Sequence, residues 1–160
     1  MIKINNAQIK IRSAASNSDK LFLSNLSKKA FSTFGDYEEV VLKWFESEYS
    51  RTLIATYKEI PAGFAMLSKP IDRYDPNNSA ELLAIAVVSE YSRLGIGSNL
   101  TKRIDELAYE TGTKMIFLHT ATENKYALKL FSSSGFRVWQ TKKEFYPKGQ
   151  DAFVMMKEIE

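Results

Sequence analysis

Two glycines past the middle of the chain, Gly95 and Gly97, could bind a phosphate-bearing ligand. They follow the apolar run of residues 82–88 and open a segment with helical periodicity. The first backbone N–H groups of a helix have no intrahelical partner, and the helix dipole adds positive potential there. Because glycine lets the backbone approach an anion closely, this arrangement predicts a pyrophosphate site. An ordinary tight connection before a helix is the alternative, and Gly-x-Gly spacing alone does not exclude it.

Two well-known phosphate-binding motifs do not fit this segment. The sequence contains no Gly-x-x-x-x-Gly-Lys-Ser/Thr, which a P-loop NTPase requires. A dinucleotide-binding motif needs a third glycine three residues after Gly97, near the first strand of a larger domain. Here Leu100 occupies that position, and the turn lies past mid-chain. These mismatches favour a different pyrophosphate ligand.

The glycine turn needs a strand before it and a helix after it, and the sequence supplies both. The nearly unbroken apolar run of 82–88 is typical of a strand that is covered on both faces. Apolar residues then recur at helical spacing from Ile96 to Leu107, and Gly112 ends that helix. A second apolar run at 115–118 predicts another strand. Residues 82–118 therefore predict a strand, glycine turn, helix and strand, with the two strands parallel.

The rest of the chain adds elements on either side of this unit. Residues before it predict a strand at 9–11, helices around 22–30 and 40–45, strands at 52–57 and 63–67, and a polar loop at 72–78. Residues after it predict a helix at 124–133 and strands at 136–145 and 152–158. This order predicts an α/β fold with one mixed sheet and helices on both faces.

Composition excludes several classes of protein. The 160 residues, 44% of them hydrophobic, fit one domain with a substantial core. The chain has no cysteine, which excludes a disulfide framework, a thiolate metal site and a cysteine nucleophile. No segment nears the roughly 18 apolar residues of a membrane span, and the net charge of +3 is not concentrated in a basic stripe. We therefore expect a soluble, cytoplasmic protein that binds no nucleic acid, membrane or metal.

Two segments resemble the motifs of one enzyme family. Residues 85–98 resemble the coenzyme A motif of the GNAT superfamily of N-acetyltransferases, an Ile-Ala-Val strand followed by Gln/Arg-x-x-Gly-x-Gly/Ala and a helix. Gly95 and Gly97 match, whereas Ser92 stands where Gln or Arg is usual. Residues 124–136, Asn-x-x-Ala-x-x-Leu-Phe-x-x-x-Gly-Phe, are similar to the family's second motif. The resemblance implies one acetyltransferase domain over residues 1–160, with its coenzyme A-binding core at 81–136.

The resemblance also implies a fold and a donor substrate. The fold would be a GNAT-like mixed central sheet of about seven strands, with about four helices on both faces. The donor would be acetyl-coenzyme A, held mainly by the main-chain amides of residues 93–98, with no metal involved. The residues that the resemblance assigns to the coenzyme are Ile85, Val87, Ser92, Arg93, Leu94, Gly95, Ile96, Gly97, Ser98, Asn124, Ala127 and Phe131.

The implied reaction moves an acetyl group from a thioester to an amine, which must be neutral to attack. Free alkylamines have a pKa near 10, so the enzyme needs a base. The resemblance places Glu81 at the base position of the histone-acetylating branch. It places His119 at the position of a basic glutamate in ribosomal-protein N-terminal acetyltransferases. His119 is the only histidine, and an imidazole suits proton transfer at neutral pH. A purely structural role stays open for both residues.

The acid that would protonate the leaving thiolate departs from the family's pattern. Many members carry a tyrosine in the second motif for this step, whereas this chain has Phe131. Tyr146, before Pro147, is a candidate replacement, and so is Tyr126, which is close in sequence to the motif. Tyr146 could equally be an aromatic wall for the substrate. A thiolate with a pKa near 8.5 can also take its proton from water.

We expect acetyl transfer to a primary amine of a small molecule or of a protein or peptide N-terminus, by direct attack in a ternary complex. A catalytically weak coenzyme A sensor is the alternative, favoured by Phe131. A third hypothesis is an interaction protein whose apolar N-terminal helices dock a partner. By analogy with the family, residues 22–45 and the Tyr146 hairpin would form the acceptor walls. Asp36, Glu38 and Glu39 either attract a basic acceptor or are solvated. The resemblance leaves a homodimer open.

Overall fold

The computed structural model describes residues 6–15, 17–70 and 78–160. The polar loop predicted at 72–78 lies, apart from Asn78, outside these residues. Within them the chain forms four α-helices, which are α1 (Lys20–Phe31), α2 (Glu38–Glu46), α3 (Ile96–Glu110) and α4 (Lys125–Ser133). The strands are β1 (Ile9–Ser13), β2 (Ser50–Tyr57), β3 (Ile60–Ser68), β4 (Ser79–Val87), β5 (Met115–Ala121), β6 (Arg137–Lys142) and β7 (Ala152–Glu158). Among the described residues, no helix has the length and apolar character needed to cross a membrane.

The seven strands form one sheet in the order β1-β2-β3-β4-β5-β7-β6. Strands β4 and β5 run parallel, and each other neighbouring pair is antiparallel. The parallel pair is joined through α3, as the periodicity of residues 82–118 predicts. The predicted mixed sheet of seven strands and four helices is therefore confirmed.

Helices cover the sheet on both faces because its strands carry apolar residues on both sides. Leu53 and Ile54 are adjacent in β2, yet they belong to different apolar clusters, since successive strand residues point to opposite faces. Ile54 packs in a cluster with Leu23 of α1 and Val41 of α2, and Leu53 packs in the cluster of Leu100 of α3. Helices α1 and α2 therefore cover one face of the sheet, and α3 covers the opposite face.

The parallel strands β4 and β5 separate after a short paired region. Their pairing consists of Ser79 with Met115, Ala80 with Ile116, and Glu81 with Phe117. Beyond it, β4 stays bonded to β3 and β5 stays bonded to β7. The sheet therefore opens at the carboxyl ends of its parallel pair, which is where ligands bind in open α/β sheets.

The predicted strand at 136–145 extends three residues too far at its carboxyl end, because β6 spans Arg137–Lys142. The Asp151 carboxylate accepts a hydrogen bond from the backbone N–H of Glu144, and the Tyr146 N–H donates to the Gln150 carbonyl. These bonds close a compact connection between β6 and β7, here called the hairpin loop (residues 143–151). It carries Phe145 and Tyr146 beyond the strand.

Candidate active site

The glycine turn forms a cluster of unpaired backbone donors. Gly95 caps α3 with φ of +87°, and Arg93 also has a positive φ, of +64°. No described acceptor takes a hydrogen bond from the N–H groups of residues 93–98. Successive amides in such a turn form a concave anion site, and the N-terminus of α3 adds its dipole. The turn therefore offers several backbone donors to an anion.

Gly97 also has a packing reason to be glycine. A Cβ atom at this position would lie 3.2 Å and 3.3 Å from the two methyl groups of Leu130 in α4. Gly97 thus lets α3 approach α4 closely, so the glycine and the second motif belong to one structural unit. The N-terminal end of α4 is fixed by Asn124, whose side-chain oxygen accepts the N–H of Ala127 at 3.2 Å.

A cavity of about 410 Å³ occupies the gap between β4 and β5. Four of the residues assigned to the coenzyme line it, namely Ile85, Asn124, Ala127 and Phe131. The three candidate catalytic residues Glu81, His119 and Tyr146 line it as well. Its remaining walls come from α1, α2, the connection between them and the hairpin loop. The structure therefore brings coenzyme and catalytic candidates into one cavity, although Val87 and residues 92–98 are not part of its lining.

The backbone of Val87 faces this gap. The N–H of Val88 donates to the Ala62 carbonyl of β3 at 2.8 Å. Because backbone groups alternate in direction along a strand, the N–H of Val87 points away from β3, toward β5. The ladder between β4 and β5 has already ended at Glu81, so this N–H is available for a ligand.

Glu81 and His119 contact each other directly, and a lysine joins them. Glu81 Oε1 lies 3.0 Å from His119 Nδ1, and Lys142 Nζ lies 3.2 Å from His119 Nε2. An ammonium group has donors only, so Nε2 must accept and Nδ1 must carry the proton. In this tautomer His119 donates to Glu81. The Phe145 ring stacks on the imidazole at 4.5 Å with an angle of 3°, which fixes its plane.

This arrangement makes Glu81 the better proton acceptor of the two. The basic nitrogen of His119 is already engaged by Lys142, whereas Glu81 Oε2 accepts from none of the described residues. Lys142 and Phe145 were not among the site residues predicted from the sequence. No local signal marks Lys142, because its contact with His119 depends on how β5, β7 and β6 are ordered in the sheet.

Tyr146 is partly buried among other aromatic rings. Its ring centre lies 5.2 Å from that of Phe34 and 6.2 Å from that of Tyr37. Burial raises the pKa of Tyr146, with a smaller contribution from Tyr37. The hydroxyl therefore keeps its proton at and above neutral pH and can act as a donor. Tyr126, by contrast, is exposed and does not line the cavity.

The hairpin loop docks onto the connection between α1 and α2. Lys148 Nζ donates to the Ser32 carbonyl at 2.7 Å, and Gln150 Nε2 donates to the Thr33 carbonyl at 2.8 Å. A Cβ at Gly35 would lie 3.0 Å from Pro147 Cγ, so glycine permits this close contact. The two segments together close one side of the cavity.

The acidic residues of the α1–α2 region do not line the cavity. Asp36 and Glu39 are exposed to solvent, and Glu38 accepts a hydrogen bond from the Ser24 hydroxyl. The sequence left open whether these residues attract a basic acceptor or are solvated. The geometry does not support direct contact with an acceptor, because none of the three lines the cavity. Within the described ranges, no group of three His, Asp or Glu side chains could hold a metal ion.

Comparison with known proteins shows a match to one protein family. Residues 20–136 match the model of the Acetyltransferase (GNAT) family. Over 109 residues the chain is 28% identical to the probable N-acetyltransferase san of Drosophila melanogaster, which covers 66% of this chain and 58% of that protein. The chain thus spans little more than half the length of the curated relatives it matches.

Solved structures share the fold. The ribosomal-protein-S18-alanine N-acetyltransferase of Escherichia coli superposes with a TM-score of 0.80 at 24% identity, over 94% of each chain. A GNAT family acetyltransferase of Elizabethkingia anophelis with acetyl-CoA bound gives a TM-score of 0.78 at 21% identity, over 94% of this chain and 98% of that one. At these identities the likeness concerns the fold, and it confirms the predicted GNAT-like architecture.

Proposed function

The chain belongs to the Acetyltransferase (GNAT) family, and from this premise we propose that it transfers the acetyl group of acetyl-coenzyme A to a primary amine. The amine belongs to a small molecule or to the N-terminus of a peptide or protein, and it attacks directly in a ternary complex. One observation carries the proposal. A single cavity in the gap between β4 and β5 joins the second coenzyme motif to the Glu81–His119 pair.

The chain offers the donor a fitting site. The unpaired amides of residues 93–98 would hold the pyrophosphate, and the Val87 N–H faces the gap where the acyl end belongs. Acetyl-coenzyme A, when bound, supplies an activated thioester. A backbone N–H aimed at the developing negative charge on an acyl oxygen is the usual electrostatic device for acyl transfer.

Glu81 is the proposed base, and His119 positions it. An alkylammonium must lose a proton before it can attack, and Glu81 Oε2 is the unengaged carboxylate oxygen of the pair. His119 holds Oε1 through its Nδ1–H, and Lys142 holds His119 in that tautomer. The Tyr146 hydroxyl, kept protonated by burial, is the proposed acid, with water as the alternative source of the proton.

An acceptor screen that measures released thiol tests the proposed function. We expect thiol release from acetyl-coenzyme A in the presence of at least one polyamine, amino sugar, amino acid amide or peptide. Mass spectrometry of the acceptor should show the added acetyl group. By its name, the E. coli protein of the same fold acts on an alanine of ribosomal protein S18, and this supports including peptides in the screen.

A coenzyme A sensor is the second candidate, because Phe131 lacks a hydroxyl. The Phe131 side chain is buried and packs edge-on against Phe136, 5.8 Å between ring centres. Tight binding of coenzyme A, seen by calorimetry, without thiol release in the whole screen would establish the sensor. The third hypothesis, partner docking through the N-terminal helices, gains no support, because Leu23 and Val41 are buried in the chain's own core.

A further inference from the structure

The acceptor part of the cavity has apolar walls. Its lining includes Phe34, Val41 and Trp44 from the α1–α2 region, Leu83 from β4 and Phe145 from the hairpin loop. Leu83 is the extra residue of an irregularity in β4, since Leu82 and Ala84 pair with consecutive residues of β3. Walls of this kind stabilise a ligand by burying its apolar surface, and they strip water from any charged group that enters.

Carboxylates that could pair with a second positive charge are scarce in this cavity. Among the described residues, Glu81 is the only carboxylate in its lining, and one of its oxygens already accepts from His119. Asp36 and Glu39 point to solvent outside the cavity. An acceptor with two ammonium groups could therefore present one to Glu81, but the other would lose its hydration without gaining a partner.

Two lysines add positive charge next to these walls. Lys142 Nζ lies 3.2 Å from His119 Nε2 and 5.5 Å from the centre of the Phe145 ring. Lys148 Nζ is bonded to the Ser32 carbonyl, two residues before Phe34. The Lys142 charge repels a second cation on the acceptor, and it does so more strongly near an apolar wall than in bulk water. Lys148 is exposed, so water and salt screen its charge.

From these observations we propose that the acceptor is a primary amine next to one apolar group, and that it carries no second positive charge. The apolar group shares the cavity of about 410 Å³ with the acyl end of the donor. This inference rests on the proposed function and narrows its substrate class. Polyamines and aminoglycoside-like polycations are poor acceptors.

This acceptor chemistry has two sources, a small apolar amine and a peptide whose first residue is apolar. In both, the amine and the apolar group stand on neighbouring carbons or on the same carbon. The two sources differ in length, because only the peptide has further residues that would continue past the docked hairpin loop. A comparison of norleucinamide with a tetrapeptide of norleucine followed by three glycines separates them.

Steady-state kinetics with matched acceptors tests the proposal in the full chain. Norleucinamide, lysinamide and glycinamide share the same reacting amine, and lysinamide differs from norleucinamide mainly by its terminal ammonium. We expect kcat/KM for norleucinamide to exceed that for each of the other two on the order of 10-fold or more. Calorimetry of the same amides with the coenzyme A complex should give the same order of affinity without turnover.

A charge placed in the wall should change this preference. Phe34→Glu adds a carboxylate beside Tyr146, whereas Phe34→Gln adds a side chain of similar size without the charge. We expect Phe34→Glu to raise kcat/KM of lysinamide relative to norleucinamide on the order of 10-fold, and Phe34→Gln to leave that ratio within about 2-fold. Asp36→Asn, outside the cavity, serves as the second control and should leave the ratio unchanged.

The outcomes separate this inference from the proposed function. Turnover that favours lysinamide or glycinamide over norleucinamide would overturn the inference and leave acetyl transfer standing. The absence of thiol release with every acceptor, although coenzyme A binds, would overturn the proposed function and the inference with it. A preference for the tetrapeptide over norleucinamide assigns peptide N-termini as the source, and the reverse assigns small apolar amines. Either preference supports the shared chemistry.

Discussion

The proposed coenzyme side and the acceptor side of the candidate active site are built in different ways. The proposed coenzyme side consists of the main-chain amides of one continuous segment, residues 93–98, and includes the close contact of Gly97 with Leu130. The acceptor side uses side chains from segments far apart in sequence, such as Phe34, Leu83 and Phe145. A site made of backbone amides can keep its ligand when a side chain is replaced, as where Ser92 stands in place of the usual Gln or Arg. A site made of side chains can change its ligand preference through one substitution. Family membership therefore says more about the donor than about the acceptor.

The largest effect should come from a negative charge on the coenzyme side. Ser98 is exposed and is the third residue of α3, where an aspartate is compatible with the helix and its dipole. Ser98→Asp would place a carboxylate beside the amides proposed to hold pyrophosphate. We expect the affinity for acetyl-coenzyme A, measured by calorimetry, to fall on the order of 100-fold or more, because close like charges cost several kcal/mol.

Ser98→Asn is the matched control, since it keeps the size and removes the charge, and its affinity should stay near that of the parent. Gly97→Asp should also abolish binding, but its Cβ would press on Leu130, so packing and charge would act together. Unchanged affinity in Ser98→Asp would mean that the pyrophosphate does not bind at this turn. The contrast between the two sides would then no longer hold.

The next effect concerns the pair at the boundary between the two sides. Glu81→Gln should lower kcat/KM on the order of 10²-fold, because it removes the proposed base. His119→Gln should lower it less, since His119 positions Glu81 rather than taking the proton. Neither variant should change the coenzyme A affinity, which depends on the glycine turn. Rapid kinetics across pH, together with calorimetry, check both statements.

The opposite order of losses would assign the base to His119. In that case Lys142 would have to leave His119 Nε2 in the ternary complex, and Lys142→Met should then raise kcat/KM rather than lower it. A loss of similar size in both variants would instead mean that the two residues act as one unit, as coupled catalytic groups do.

Tyr146→Phe should have an intermediate effect. If the hydroxyl protonates the thiolate, kcat should fall about 10-fold while the acceptor KM stays similar, because the ring still forms the wall. Burial raises the pKa of Tyr146, so the hydroxyl keeps its proton through the range in which an exposed tyrosine begins to ionise. The rate should therefore show no alkaline loss from this group below about pH 10. An unchanged kcat would leave Tyr146 as a wall residue.

The same contrast explains how much could be predicted from the sequence. The glycine turn, the parallel pair and the helix behind it depend on local spacing, and the structure places them where the periodicity indicates. The contact of Lys142 with His119 depends on strand order, and β7 lies between their strands. The early end of β6 depends on Asp151 binding the Glu144 backbone seven residues away. Neither contact leaves a periodic signal in the sequence.

Acidic residues near the acceptor give a further example. Asp36, in the connection between α1 and α2, and Glu38 and Glu39, at the start of α2, stand within the segment expected to form the acceptor walls, yet none of them lines the cavity. Helical periodicity indicates an apolar face, but it does not say which neighbouring element that face will meet. The proposed substrate class therefore rests on the packed structure.

The smallest effect should come from the contact that holds the hairpin loop. Gln150→Ala removes one hydrogen bond to the Thr33 carbonyl, and such a bond contributes roughly 0.5–1.5 kcal/mol. We expect the acceptor KM to rise about 2- to 10-fold, with coenzyme A affinity unchanged, because the loop belongs to the acceptor side alone. Lys143→Ala is the control, since Lys143 pairs with Asp151 inside the loop. Weaker coenzyme A binding in Gln150→Ala would show that the two sides are coupled.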